Sequence, residues 1–262
     1  RAGLAVSGAA FQTLFRNPLA TPDTLGVATG ASCGAALAIL LGWSGLGIQT
    51  LSFLFGIAAV ALVTSVSRVP GSNRILMLIL SGIVVSALFS ALVALIKFAA
   101  DPESVLPSIT FWLMGSLNKG DNADLLVMLP SVVLSLALLF VFRHKIDVLA
   151  AGEDEATAMG VNVNLVKGVV IVASTLMTAC AVSVAGIIGW IGMVVPHIAR
   201  TVTGASYSKL IAGSFVIGGI FLVLIDDIVR ASLADLPLGV LTALIGTPVF
   251  VFLLVRTRRE WL

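Results

Sequence analysis

Charge is scarce in this 262-residue chain: Asp, Glu, Lys and Arg make up only 11% of it, and hydrophobic residues 59%. A soluble domain carries roughly 25% charged residues, so a water-facing globular fold is excluded. With a mean hydropathy of +1.14, the chain reads as an integral membrane protein. The net charge of +2 is too small to point to nucleic acid, and basic residues matter here by position rather than by sum. Cysteine is limited to Cys33 and Cys180, both inside apolar runs; they read as small core residues and not as a disulfide or metal pair. His144 and His197, the only histidines, sit at the ends of apolar runs near Arg or Lys, which marks interfacial groups rather than ligands. No glycine-rich phosphate loop, metal-ligand cluster or nucleophile elbow is present.

Charge is also missing from inside the apolar runs. Apart from Lys97 and the run ends, no ionisable residue is expected mid-bilayer, which leaves no proton relay, coupling carboxylate or arginine series. Energy for uphill work would then enter through a partner. An ion-coupled secondary transporter of a small amphipathic solute is the alternative, and its signature would be buried carboxylates or broken helices in corresponding halves. A membrane-embedded enzyme would need a polar constellation on facing helices, and none is visible.

What the chain does contain is about nine apolar runs, each near the ~20 residues a spanning helix needs. They lie near 2–15, 26–45, 48–66, 75–98, 124–142, 167–185, 187–204, 209–229 and 238–255. Taking alternate connections together puts Arg16, Arg68, Arg74, Arg143, Lys145, Lys167, Arg200, Lys209, Arg256, Arg258 and Arg259 on one side. Only Lys97, Lys119 and Arg230 fall opposite, with Arg1 at the start. The first side is therefore cytoplasmic. Glycine pairs such as Gly26 and Gly30, Gly30 and Gly34, Gly42 and Gly47, Gly186 and Gly192, and Gly218 and Gly219 predict close helix contacts in a compact bundle.

Four segments stand out. Arg16-Asn-Pro-Leu-Ala-Thr-Pro-Asp-Thr-Leu-Gly26 is a cytoplasmic connection whose two prolines bar continuous helix. Within the cytoplasmic segment 147–166, Glu153, Asp154 and Glu155 open a predicted short helix that Gly160 ends. Exposed Ala156, Ala158 and Met159 on that helix would suit docking into a partner's groove. On the other side, 101–118 is too short and proline-broken to span and reads as an interfacial helix, with Phe111 and Trp112 at headgroup level. In Asp226-Asp-Ile-Val-Arg230, either aspartate can pair with Arg230 at helical spacing, and Arg230 can equally face an acidic soluble partner.

Four stretches, residues 16–27, 111–117, 186–200 and 236–250, in this order resemble the FecCD family of permease subunits, which serve ATP-binding-cassette importers of iron-siderophores, haem and vitamin B12. The resemblance runs from about residue 1 to 256 and implies an all-α polytopic bundle in the bacterial inner membrane, a single permease domain over 1–262. Family members are usually longer at the N-terminus, so the first of ten helices is expected to precede Arg1. The resemblance implies a cytoplasmic gate at Asn17 and Leu19, and a pathway-lining helix after Arg74 carrying Ser81 and Ser86. It implies ATPase coupling through Glu153, Asp154, Glu155, Ala156, Met159 and Gly160, and docking of a substrate-binding protein at Arg230. The implied partners are two ATP-binding subunits, a second permease subunit as homodimer or heterodimer, a periplasmic or lipid-anchored binding protein, and membrane lipid. No cofactor would be bound by this chain, since ATP-Mg belongs to the partner subunit; no metal site and no catalytic residue are expected.

Overall fold

The computed structural model describes residues 2–68, 74–116, 122–232 and 236–257. Arg1, Leu117, Asn118, Lys119, Arg258 and Arg259, which enter the sequence reading, lie outside the described residues. Twelve α-helices and no strand occur among the described residues. They are α1 Ala2–Phe15, α2 Val27–Leu40, α3 Leu46–Val66, α4 Arg74–Ala99, α5 Val105–Leu113 and α6 Asn122–Val141. These are followed by α7 Arg143–Ala151, α8 Glu153–Ala158, α9 Val163–Ala185, α10 Ile191–Thr203, α11 Tyr207–Ser232 and α12 Leu238–Thr257. Each of the nine apolar runs carries a helix. Among the described residues, four stretches are long and apolar enough to cross a membrane: Leu46–Val66, Ile75–Ala99, Val163–Ala185 and Tyr207–Ala231. Shorter apolar helices occupy Ala2–Phe15, Val27–Leu40, Met128–Val141 and Leu238–Val251.

α1 is the axis of the bundle, buried along nearly its whole length and packed by α9, α10 and α11. Its residues 2–10, rich in Gly and Ala and without charge, let neighbours come close, while Phe11, Leu14 and Phe15 fill the core at its end. At the tightest crossing a Cβ on Gly8 would fall 1.8 Å from the Gly192 carbonyl oxygen. The α2–α3 hairpin is knit the same way. Cβ atoms on Gly30 and Gly34 would lie 2.6 Å from the Phe55 oxygen and 2.3 Å from the Leu51 oxygen. The expectation does not extend to Gly42 and Gly219, which have open space in front of them.

Two boundaries differ from the sequence reading. The run 26–45 yields helix only to Leu40, where Gly42 and Gly45 adopt positive φ. The run 187–204 is helical only from Ile191. Gly186 and Trp190 stand at φ +70° and +71°, which unwinds the chain between α9 and α10. The last carbonyl before the break is paired from another element, as backbone polar groups in a bilayer require. Ser116 N–H donates to the Ala185 oxygen at 2.8 Å, and the amides of Leu238 and Gly239 donate to the Gly115 and Met114 oxygens, each at 3.1 Å. The end of α5, the α9–α10 break and the start of α12 are thus one hydrogen-bonded junction.

α7 and α11 are joined by Asp147. Its carboxylate accepts from the amides of Tyr207 and Ser208 and the hydroxyls of Ser206 and Ser208, capping the first turn of α11 from another helix. Such a cap both satisfies orphan N–H groups and opposes the positive end of the helix dipole. Asp147→Ala is expected to destabilise the fold by about 2 kcal/mol, read as a lower thermal midpoint of the purified protein in detergent.

Candidate functional site

The segment between α1 and α2 does not stay outside the bundle as a plain connection. Arg16, at φ +46°, turns the chain back on itself, and the Asn17 side chain braces the bend by accepting the Leu19 amide at 2.9 Å. The chain then climbs beside α1 through a short 3-10 turn, Pro22–Leu25. A Cβ on Gly192 would lie 3.8 Å from Thr21 Cγ2, and one on Gly82 of α4 would lie 1.9 Å from the Thr24 oxygen. Gly26, in the left-handed region, faces the hydroxyl of Ser86, midway along the 26 residues of α4. The segment is re-entrant, and non-helical backbone at that depth is tolerated only inside protein or along a water-filled cavity.

One charged residue of this segment stands close to the bundle. Asp23 is exposed on the turn and lines a cavity of about 50 Å³ with Leu4, Ser7 and Thr178. Hydropathy cannot see this position, because it is set by the turn and not by an apolar run. Leu19 is exposed at the foot of the turn and Asn17 half-buried.

α4 leaves a long apolar stripe uncovered: Leu76, Leu80, Ile83, Val84, Leu88 and Leu95 recur at helical spacing and are all exposed. Ser81 is buried, and Ser86 is half-buried, turned toward Gly26 and the re-entrant turn rather than along the stripe.

At the end of the bundle where α1 and α3 finish, segment 147–166 forms most of α7, then α8 and the start of α9. The three acids fill the first turn of α8. Gly160, at φ +78°, closes it, with Gly160 N–H donating to the Thr157 oxygen at 3.0 Å. Asn162 then caps α9 by accepting the Leu165 amide at 3.1 Å. One expectation is corrected: Ala156 is fully buried, its methyl turned into the main core, because a helix this short can lie on the bundle only by burying its middle. Ala158 and Met159 do face outward, and Met159 is 69% exposed. Glu153 pairs with Lys167 of α9 at 2.6 Å, the lysine side chain being only 11% exposed. That pair was not anticipated, since Lys167 reads from sequence as an ordinary charge at a helix end.

A second polar tie was also missed. Arg200 donates to Gln12 Oε1 at 2.7 Å, and Gln12 Nε2 donates to the Met193 oxygen at 3.1 Å. The Arg200 guanidinium is thus engaged inside the bundle, between α10 and α1, rather than at a lipid headgroup.

On the opposite side, α5 packs as an interfacial helix should. Ile109 is buried, Phe111 is exposed, and Trp112 packs on Ala28, Ala31 and Val182. Asp101 braces the turn before α5, held below the usual carboxylate range by the Ser104 hydroxyl and the Ser104 and Glu103 amides. In the last turn of α11, Arg230 Nε bonds the buried Asp226 carboxylate at 3.2 Å, yet the arginine side chain stays 54% exposed. The described residues contain no group of three or more His, Cys, Asp or Glu that could hold a metal ion.

Comparison with known proteins yields consistent matches. Residues 2–256 match the profile of the FecCD transport family. The chain is 39% identical over 259 residues to the molybdate import system permease protein of Haemophilus influenzae, covering 98% of this chain and 77% of that one. It is 40% identical over 258 residues to an iron chelatin transport system permease protein of Helicobacter pylori, covering 98% and 78%. Among solved structures, an ABC transporter described as of the metal-chelate type, in an inward-facing conformation, superposes with a TM-score of 0.92 at 39% identity. That match covers 97% of this chain and 82% of the solved one.

Proposed function

Because the chain belongs to the FecCD transport family, we propose that its uncovered α4 stripe and re-entrant turn form one half of the translocation pathway of an ATP-binding-cassette importer. It is a permease subunit and a multi-pass protein of the inner membrane. The observation that carries the pathway assignment is the stripe on α4. A spanning helix with one exposed apolar face, Leu80 to Leu95, and another face packed on non-helical backbone through Gly82 and Ser86 fits a subunit boundary along a water-accessible route. A second permease subunit would cover part of that face, and the remainder would line the route. Leu19 would plug the cytoplasmic end, with Asn17 holding its backbone; Ser86 would set the packing of α4 against the turn. Asp23 would give the route one carboxylate.

The chain performs no chemistry in this reading; ATP-Mg would be bound and hydrolysed by two partner subunits. Their contact would be the exposed edge of α8, led by Met159 and Glu155, with Glu153 and the buried Ala156 fixing the helix on the bundle. Binding and hydrolysis then shift the population between two arrangements of the permease pair, to the extent that each nucleotide state favours one arrangement. The cargo would be an iron-siderophore or related metal chelate, in line with the iron chelatin relative and the metal-chelate-type structure. The molybdate relative supports an oxyanion as the second reading.

The direct test is ATP hydrolysis by the intact transporter in lipid, with its binding protein empty or loaded with ferric siderophore, haem, cobalamin or molybdate. Stimulation by one loaded form identifies the cargo; no stimulation by any of them, in a folded complex, refutes the reading. Arg230 would meet an acidic side chain of the binding protein. Arg230→Gln is expected to raise the Kd of the binding protein about tenfold, and to flatten its salt dependence, because an exposed interfacial charge acts on encounter and fit.

A further inference from the structure

A cavity of about 240 Å³ opens between the ends of α1 and α3 and the beginnings of α4 and α9. Its walls divide by chemistry. Phe15, Leu78 and Ile171 make an apolar trough, and Arg68 and Lys167 stand on its rim. The two cations differ in state. Arg68 is exposed and has no carboxylate partner among the described residues. Lys167 is nearly buried and directs one of its ammonium protons to Glu153 at 2.6 Å, which leaves two donors for another acceptor. Two positive charges against one carboxylate leave the site one charge short of neutral.

We propose that this cavity is a binding site for an anionic phospholipid of the cytoplasmic leaflet. The location fits, because Arg68 and Lys167 belong to the basic, cytoplasmic side of the chain, and basic pockets between spanning helices on that side take anionic headgroups. The charge fits, since one phosphodiester supplies the missing negative charge and the oxygens to accept from both cations. The trough fits an acyl chain, which a free phosphate or nucleotide would leave empty. The lipid would share Lys167 with Glu153, so the headgroup would sit one side chain away from α8. The binding step rests on membrane residence alone and not on the importer reading.

The test is native mass spectrometry of the intact transporter, delipidated and then titrated with phosphatidylglycerol or with phosphatidylcholine of the same chain length. Phosphatidylglycerol is expected to bind in preference. Arg68→Gln should weaken it about fivefold, the contribution of one basic residue near an anionic headgroup, without changing phosphatidylcholine. Ile171→Trp, which fills the trough with both cations intact, should also weaken phosphatidylglycerol. Lys145→Gln, on the exposed part of α7, should not. Equal loss from Lys145→Gln and Arg68→Gln would reduce the effect to general surface attraction and overturn the site. So would full binding by Ile171→Trp, or competition by glycerophosphoglycerol as strong as by the lipid itself. Because each readout is binding, a failure here leaves the transport reading untouched, and the reverse also holds.

Discussion

Gly8→Ala is expected to cost at least about 3 kcal/mol of stability, more than a single added methyl usually costs in a packed core. The reason is what the methyl meets. Its position lies 1.8 Å from a backbone carbonyl oxygen of Gly192 and 2.6 Å from the Gly192 Cα, so no rotamer change can clear it. α1 and α10 must separate, and α1 cannot retreat because α9 and α11 close its other faces. The check is the thermal midpoint of the purified protein, with Gly219→Ala as the control. A Cβ at Gly219 meets nothing within 4 Å, and that variant should match the parent. Equal midpoints for both variants would mean that α10 is not clamped on α1.

Met159→Lys is expected to lower uptake per ATP hydrolysed by about thirtyfold while the thermal midpoint stays unchanged. Met159 is 69% exposed, so lysine there strains nothing in the chain itself. Loss of one buried apolar anchor in a partner's groove is worth about 2 kcal/mol, or roughly thirtyfold. Glu153→Lys should behave in the opposite way. It places a second cation against Lys167, and after allowance for the half-exposed carboxylate the cost is about 2 kcal/mol of stability. Reconstituted vesicles scored for transport and hydrolysis together, alongside midpoints in detergent, separate the two. An unchanged transport ratio in Met159→Lys would remove α8 as the coupling contact.

Helix positions were legible from the sequence because the solvent is a bilayer: apolar runs must be helical there, and charges must sit at their ends. The interfacial α5 and the α8 turn followed from proline, acid and glycine placement in the same way. The re-entrant path of 16–26 was not legible. Prolines announce that a helix stops, but only Gly82 and Gly192 on other elements tell the chain where to go next, and those contacts are long-range. The burial of Ala156 and the Glu153–Lys167 pair escaped for a related reason. A six-residue helix has no periodicity long enough to say which face is down, and a lysine near the start of a long apolar helix gives no sign of being enclosed. The full register of the Ser86 face likewise came only from the packing of α4 on the turn.

Asp147 lies at the head of the segment that leads into α8, and it grips the first turn of α11; Arg230 projects from the last turn of that helix. A helix of 26 residues is about 39 Å long at 1.5 Å per residue. α11 therefore runs from one end of the bundle to the other, tied at its base to α7 through Asp147 and carrying an arginine at its tip. In the importer proposed above, α11 would link the outer surface to the neighbourhood of α8 by a path separate from the cargo route. A tilt of this helix by a few degrees would reach both ends without any rearrangement in between.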